Sequence, residues 1–181
     1  GKLPFYRGRN VLNWALINDE KDFGITVHYV DEGIDTGDII LQRIYQISDQ
    51  DSYKTLLERA YIECANILYD VIIMFKKGYV KAQKQIKLHP QGFYCTQRKK
   101  GDETLNWNQT SRQIFNFVRA ICRPGPIARA YINKKQMKIN KVEIVKHVLI
   151  NNCKIGLILK KDSESFSVKT KDSFIRVTEF E

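Results

Sequence analysis

The chain has 181 residues, 43% of them hydrophobic and 11% aromatic, which allows one ordinary domain, or part of one followed by a small second domain. This apolar content supplies a buried core and argues against disorder over most of the chain. Strictly apolar runs reach only five residues, as in 71–75, which excludes a membrane-spanning helix. The opening sequence GKLP lacks the pattern of a signal peptide, and we expect a cytoplasmic protein.

The net charge is +10, and the basic residues are unevenly placed. Between Lys76 and Lys146 there are 17 Lys and Arg residues against three acidic ones. Such a band attracts phosphate, in RNA or in a nucleotide diphosphate, although a solvated lysine-rich surface gives the same pattern. The four cysteines form no C-x-x-C pair, so we expect reduced thiols and no metal site.

The first half of the chain predicts two helices and two strands. Residues 9–17 have the apolar spacing of a short helix, and 53–77 that of a long one. The segments 25–30 and 39–47 are rich in β-branched residues and predict strands. Between them, residues 31–38 (DEGIDTGD) predict a loop with two glycines and four carboxylates.

The second half predicts one helix followed by strands. Residues 81–102 have no clear period and predict an irregular linker. A helix is expected after the capping residues Thr110 or Ser111, and the Arg-Pro-Gly-Pro sequence at 123–126 ends it. Five alternating segments then predict the strands of a small barrel or sandwich, namely 127–132, 137–145, 154–160, 166–170 and 174–180.

Three sequence blocks carry the most specific pattern. Residues 3–9 read LPFYRGR, and residues 24–38 read GITVHYVDEGIDTGD. They resemble the blocks N-x-H-x-S-L-L-P-x-Y-R-G and G-V-T-x-H-x-V-D-x-G-x-D-T-G-D-I of the folate-dependent N-formyltransferases. Residues 102–107, DETLNW, resemble that family's D-G-x-I-D-W, and 119–126 resemble its R-A-x-x-x-P-x-P helix end. Three blocks in the family's order are a strong signal, whereas each block alone is weak.

The resemblance implies an α/β fold, with the C-terminal half of a Rossmann-like formyltransferase domain before a small β-rich, OB- or barrel-like domain. We expect the first part over 1–88, and the linker with the β-rich domain over 89–181. Aligning Leu3-Pro4 on the family's L-P places the catalytic histidine two residues before Gly1 and the asparagine four before it. We therefore interpret the chain as lacking the N-terminal part, as inactive by itself, and as compatible with a homodimer.

The same resemblance implies the co-substrate, 10-formyltetrahydrofolate, and the residues that contact it. In the family, the loop within the second block, which is 31–38 here, wraps the pterin end of the folate, and Asp35 corresponds to the catalytic aspartate. The carboxylate holds the charge state of the histidine and, through water, accepts the proton that the attacking amine loses. The residues expected to bind the cofactor are Val30, Gly33, Ile34, Asp35, Gly37 and Asp38.

Two features of this loop have simpler alternatives. We expect Gly33 and Gly37 to adopt backbone angles that a Cβ forbids, although Asp and Gly also serve geometry alone in a turn that connects strands. His28 lies seven residues before Asp35, but the family often has a histidine there without catalytic duty. We interpret it as a half-buried strand residue, and His89 and His147 have no catalytic context.

The segment after the first block indicates the acceptor. Residues 7–14, RGRNVLNW, look more like the branch that formylates nucleotide-linked amino sugars, R-G-R-x-x-x-N-W, than like methionyl-tRNA formyltransferases, R-G-A-A-P-I-Q-R. Arginines suit a diphosphate and aromatic rings suit a base, and Arg119 and Tyr94 are further candidates. We expect the substrate to contact Tyr6, Arg7, Arg9, Arg98 and Trp107. A methionyl-tRNA formyltransferase and a non-catalytic RNA-binding module remain the alternatives.

Overall fold

The computed structural model describes residues 1–132, 134–145, 153–162 and 164–181. The α/β class predicted from the sequence is confirmed. The chain divides into two compact units. The first unit comprises Gly1–Ala15, Glu20–Asp51 and Thr55–Arg98, and the second comprises Leu16–Asp19, Ser52–Lys54 and Lys99–Glu181.

The first half of the chain contains the elements that the periodicity predicted, with ends that differ by up to three residues. Two of its strands, β2 (Asp22–His28) and β3 (Ile39–Gln46), pair antiparallel on either side of the 31–38 loop. The register of this pair shifts between Val27 and His28. The elements in chain order are β1 (Arg7–Gly8), α1 (Val11–Ile17), β2 (Asp22–His28), β3 (Ile39–Gln46), α2 (Tyr53–Lys76), α3 (Gln85–Leu88) and β4 (Tyr94–Cys95).

The segment predicted as an irregular linker is partly ordered within the first unit. β4 pairs with β1 in parallel, and the Trp14 indole donates a hydrogen bond to the Thr96 carbonyl at 2.9 Å. The first compact unit extends to Arg98. Local periodicity does not show this, because the partners of the segment lie more than eighty residues earlier in the chain.

The start of α2 depends on the buried carboxylate of Asp51. It accepts hydrogen bonds from the backbone and hydroxyl of Ser48 at 2.8 and 3.0 Å, and from the Thr55 hydroxyl and the Arg59 guanidinium at 3.1 Å each. Burial by itself raises the pKa of this carboxyl group, but these hydrogen bonds and the Arg59 charge lower it overall from its usual 3.8. Asp51 is therefore a charged cap that joins the turn at Ser48 to the first turns of the helix.

Only one face of α2 is buried within the described residues. Leu56, Ile67 and Val71 are in the core, and β3 contributes Tyr45, whose hydroxyl donates to Glu63 of the helix at 2.8 Å. A second apolar stripe of the same helix is exposed, and it consists of Tyr61, Leu68, Ile72 and Phe75.

The second unit packs one helix on an antiparallel sheet. The spatial order of its strands is β5 (Ala128–Ile132), β6 (Lys135–Ile144), β9 (Phe174–Phe180), β8 (Phe166–Lys169) and β7 (Ile158–Lys161). Thr110 caps the helix in a reciprocal capping box with Gln113, as the sequence predicted. The core joins Ile114 and Val118 of the helix to sheet residues such as Ile175. The elements are α4 (Ser111–Ile121), β5 (Ala128–Ile132), β6 (Lys135–Ile144), β7 (Ile158–Lys161), β8 (Phe166–Lys169) and β9 (Phe174–Phe180).

Each of the five strands predicted after residue 127 has a counterpart among the described residues, although β7 begins at Ile158 rather than at residue 154. His147 and the predicted turn at 151–152 lie outside the described residues. Within the described part of the chain, none of the helices combines the length and apolar content that a membrane crossing requires.

Replacing Asp51 by alanine tests the helix cap. We expect the free energy of unfolding to fall by about 1–3 kcal/mol, because several donors lose their buried acceptor. The pKa of Asp51 is lower in the folded chain, so its contribution is present above about pH 4 and is lost as the pH falls through the folded value. Thermal unfolding followed from pH 7 to pH 2 should therefore show the wild-type and Asp51→Ala curves converging at low pH.

The control is Glu58→Gln, which changes an exposed carboxylate on the same helix. This change should alter stability by less than about 0.5 kcal/mol at any of these pH values. A stability difference between wild type and Asp51→Ala that stays constant down to pH 2 contradicts the charged cap.

Candidate active site

The loop between β2 and β3 closes on itself through its own polar groups. The Tyr29 amide donates to the Asp38 carbonyl at 2.9 Å, across the base of the loop. Inside it, the Asp31 carboxylate accepts the Gly33 amide at 3.1 Å and the Thr36 hydroxyl at 2.5 Å. These bonds supply part of the loop's hydrogen bonding from its own residues.

The two loop glycines are required for space and not for their backbone angles. A Cβ on Gly37 would lie 1.7 Å from the Tyr29 carbonyl oxygen, and one on Gly33 would lie 2.1 Å from the Thr36 hydroxyl. Neither glycine has a positive φ, so the prediction that they adopt left-handed angles is wrong. The loop residue in that region is Asp35 itself, with φ of 56°.

Asp35 is fixed at both its backbone and its carboxylate. Its Oδ2 accepts the Gly8 amide at 2.8 Å, and its Oδ1 lies 3.7 Å from His28 Nε2. The side chain remains 35% exposed, so a ligand or a water molecule can reach it. A left-handed aspartate costs about 1–2 kcal/mol, and such strain persists where the surrounding contacts over-determine it.

His28 is the last residue of β2 and is half-buried, as its strand position predicted. Its Nδ1 lies 2.8 Å from the Tyr29 carbonyl oxygen, and its Nε2 faces Asp35. No sequence pattern predicted this second contact, and the register between β2 and β3 shifts just before His28.

Gln85 is a site residue that sequence reasoning missed. Its side chain is 4% exposed, and its amide nitrogen donates to the carbonyl oxygens of Asp35 and Gly37 at 2.9 and 2.7 Å. Its oxygen accepts two hydrogen bonds from the Arg7 guanidinium, at 3.1 and 2.5 Å. Gln85 lies in a segment without periodicity, and its partners are distant in sequence, so no local pattern indicates its role.

Two residues expected to bind the substrate make intramolecular contacts. Arg7 is bound to Gln85, and its guanidinium carbon lies 5.5 Å from the centre of the exposed Tyr94 ring. Tyr6 is buried, and its hydroxyl donates to Glu20 at 2.6 Å. Arg7 therefore connects the first sequence block to the loop that carries Asp35, with Gln85 as the residue between them.

The RGRNVLNW segment holds β4 and the residues that follow it up to Arg98. The Asn10 side chain accepts the Arg98 backbone amide at 3.1 Å, and Trp14 donates to the carbonyl of Thr96. The exposed Arg9 donates to Gln97 at 3.4 Å. These residues shape the surface beside β1, so at least part of their motif serves structure.

Two further candidates for substrate contact, Trp107 and Arg119, lie in the second unit. Trp107 is half-buried. Arg119 is buried, donates to Asn116 at 3.0 Å, and lies over the Phe115 ring with its Nη2 3.9 Å from Asp19. These contacts give Arg119 a structural role within that unit.

The loop also presents apolar surface to solvent. Val30 is 93% exposed and Ile34 is 66% exposed, on the same loop as the Asp35 carboxylate. A cleft of about 330 Å³ borders the loop, and Arg7, Asp38 and Lys84 are among the residues that line it. Among the described residues, no group of three or more His, Cys, Asp or Glu side chains could hold a metal ion.

Comparison with known proteins gives matches over nearly the whole chain. Methionyl-tRNA formyltransferase from Thermodesulfovibrio yellowstonii is 38% identical over 97% of this chain and 54% of its own length. An N-formyltransferase from Helicobacter canadensis, solved with folinic acid and dTDP-3-aminofucose, matches 99% of this chain and 64% of its own, with 25% identity and a TM-score of 0.73. WlaRD, a sugar 3N-formyltransferase solved with dTDP and 5-N-formyl-THF, matches 98% of this chain and 62% of its own length, with 27% identity and a TM-score of 0.74.

The chain spans about half the length of the curated relatives that it matches. Residues 2–72 match the formyl transferase family model, and residues 98–181 match the model of the formyl transferase C-terminal domain. These matches confirm the predicted fold, a Rossmann-like formyltransferase part followed by a small β-rich domain. The chain belongs to the formyl transferase family.

Proposed function

We propose that this chain carries the folate-binding loop and the catalytic carboxylate of an N-formyltransferase. The enzyme moves a formyl group from 10-formyltetrahydrofolate to a primary amine, the amino group of a nucleotide-linked amino sugar. A new N–C bond forms at the amine, the bond from the formyl carbon to N10 of the folate breaks, and a proton passes from the amine to N10. The observation that carries this proposal is the fixed, solvent-accessible Asp35 carboxylate beside exposed apolar side chains.

The position of Asp35 fits proton transfer. An attacking amine must be neutral and must lose a proton as the tetrahedral intermediate collapses. The Gly8 amide holds one carboxylate oxygen of Asp35, while the side chain remains accessible to a water molecule that relays the proton. The oxyanion that develops in the same step also needs hydrogen-bond donors.

The loop surface fits a flat aromatic ligand. Val30 and Ile34 offer exposed apolar area, and covering each of them fully would contribute about 1.5–3 kcal/mol. Gly33 and Gly37 keep the loop thin, because their neighbours leave no room for a Cβ. The Helicobacter canadensis N-formyltransferase and WlaRD were each solved with a folate derivative, which supports a pterin at this loop.

Three observations support an amino sugar as the acceptor. Residues 7–14 follow the pattern of the sugar branch. Among the similar structures, WlaRD is a sugar 3N-formyltransferase, and the Helicobacter canadensis N-formyltransferase was solved with dTDP-3-aminofucose. The cleft lined by Arg7 and Lys84 adds positive charge near the loop.

Methionyl-tRNA is the second candidate acceptor. The relative from Thermodesulfovibrio yellowstonii is a methionyl-tRNA formyltransferase, and residues 99–181 contain 17 Lys and Arg against eight Asp and Glu. A phosphate backbone binds such a surface. We rank it second because several arginines of this region are already paired with carboxylates within the second unit, namely Arg112, Arg123, Arg129 and Arg176.

The variant Asp35→Asn tests the catalytic carboxylate in the complete gene product. Asparagine tolerates the left-handed backbone and keeps an acceptor for the Gly8 amide, so the melting temperature should change little. Turnover should fall by about two orders of magnitude or more, the usual scale for an acid–base group. The matched control is Glu32→Gln in the same exposed loop, which should keep wild-type turnover. Wild-type turnover in Asp35→Asn would remove this role from Asp35.

A ligand-dependent melting scan of the same gene product tests the acceptor. With 5-formyltetrahydrofolate present, a dTDP- or UDP-linked amino sugar at a hundred times its dissociation constant should stabilise the protein by about 2.7 kcal/mol. Methionyl-tRNA should bind only weakly, and a modest increase in salt should abolish its binding. Rapid formation of formyl-methionyl-tRNA, with no turnover of any nucleotide-linked amino sugar, would assign the tRNA branch instead.

A further inference from the structure

Resting on the proposed function, we infer that Gln85 is the positioning residue for Asp35. Its buried side-chain amide joins the backbone beneath Asp35 to the arginine of the first sequence block. Gln85 contacts neither reactant in this proposal. It acts through Asp35, by holding the loop in the conformation that presents the carboxylate.

The hydrogen bonds of Gln85 use the full capacity of its amide. A glutamine side chain offers two N–H donors and an oxygen with two lone pairs. Here the nitrogen donates to Asp35 O and Gly37 O, and the oxygen accepts from Nε and Nη2 of Arg7. A flipped amide would place oxygen against two carbonyl oxygens and N–H groups against the guanidinium, so a single orientation satisfies the site.

These bonds fix Asp35 from two directions. The carbonyls that Gln85 binds belong to Asp35 and to the residue two positions later, and they flank the strained left-handed turn. Arg7, the other partner, is followed directly by Gly8, whose amide binds the Asp35 carboxylate at 2.8 Å. One buried side chain therefore sets both the backbone of Asp35 and the group that orients its carboxylate.

The position of Gln85 is itself well fixed. Gln83, two residues earlier, exchanges two backbone hydrogen bonds with Ile39 at 2.8 Å each, just after the loop. The side chain of Gln83 is exposed, whereas that of Gln85 is buried. The two glutamines thus form a matched pair, since the same substitution can be made at both and only one of them contacts the loop.

The first experiment measures the loop directly and requires no turnover. Hydrogen exchange is followed by NMR on the complete gene product as wild type, Gln85→Met and Gln85→Glu. Methionine keeps the length and loses all four bonds, and glutamate sets an oxygen against the two carbonyls while it retains Arg7. We expect the protection factor of the Gly8 amide to fall at least tenfold in both variants. The control variants Gln83→Met and Gln83→Glu should leave this protection factor unchanged. Unaltered Gly8 protection in the Gln85 variants would overturn the proposal.

The second experiment separates positioning from general stability through a double-mutant cycle on turnover in the complete gene product. Gln85→Met should lower kcat about ten- to a hundredfold, the scale of a displaced catalytic group, with KM for the amine changed less than threefold. In the Asp35→Asn background the same change should cost almost nothing further, because the carboxylate that it positions is gone. Equal losses in both backgrounds would show that Gln85 acts through stability alone and would refute its positioning role.

The two experiments also distinguish this proposal from the proposed function. A wild-type gene product without formyl transfer to any amine contradicts the proposed function, while the exchange rate of the Gly8 amide still decides whether Gln85 holds the loop. Normal turnover in Gln85→Met, with formyl transfer demonstrated in the wild type, refutes the positioning role and leaves the proposed function intact.

Discussion

The hydrogen bond from the Gly8 amide to the Asp35 carboxylate brings together two segments that lie 27 residues apart in sequence. Much of the first unit serves this contact. β1 holds Gly8 by pairing with β4, the β2–β3 pair supports the loop, and Gln85 binds the loop carbonyls. A carboxylate used in proton transfer must be held to within a fraction of an ångström, and hydrogen bonds from separate segments achieve this better than a flexible loop alone.

Strain and accessibility occur together at this position. Asp35 has a left-handed backbone that an ordinary side chain avoids, yet its carboxylate still reaches solvent. Val30 and Ile34 of the same loop are apolar and exposed. The loop therefore combines strain, exposed apolar area and an accessible charge, and the proposed function uses all three.

The charge of the chain has a different meaning in its two parts. The net charge of +10 arises almost entirely from residues 99–181, yet the sequence does not show which cations are available to a ligand. In the second unit, Arg112 and Arg129 face carboxylates, and the buried Arg119 binds Asn116. Charge counted along a sequence thus overstates the positive potential offered to phosphate, because ion pairs and burial remove part of it.

The sequence by itself determined the longer helices and most of the strands, because these follow from apolar periodicity and from capping residues such as Thr110. It did not predict the short elements β1, α3 and β4. The sequence also located the loop at 31–38, because the residues of the family's second block are consecutive in the chain. Only the tertiary structure decided the role of Gln85, the pairing of β4 with β1 and the engagement of Arg7. Those contacts join residues more than forty positions apart, and no local pattern records which distant group a buried amide will meet.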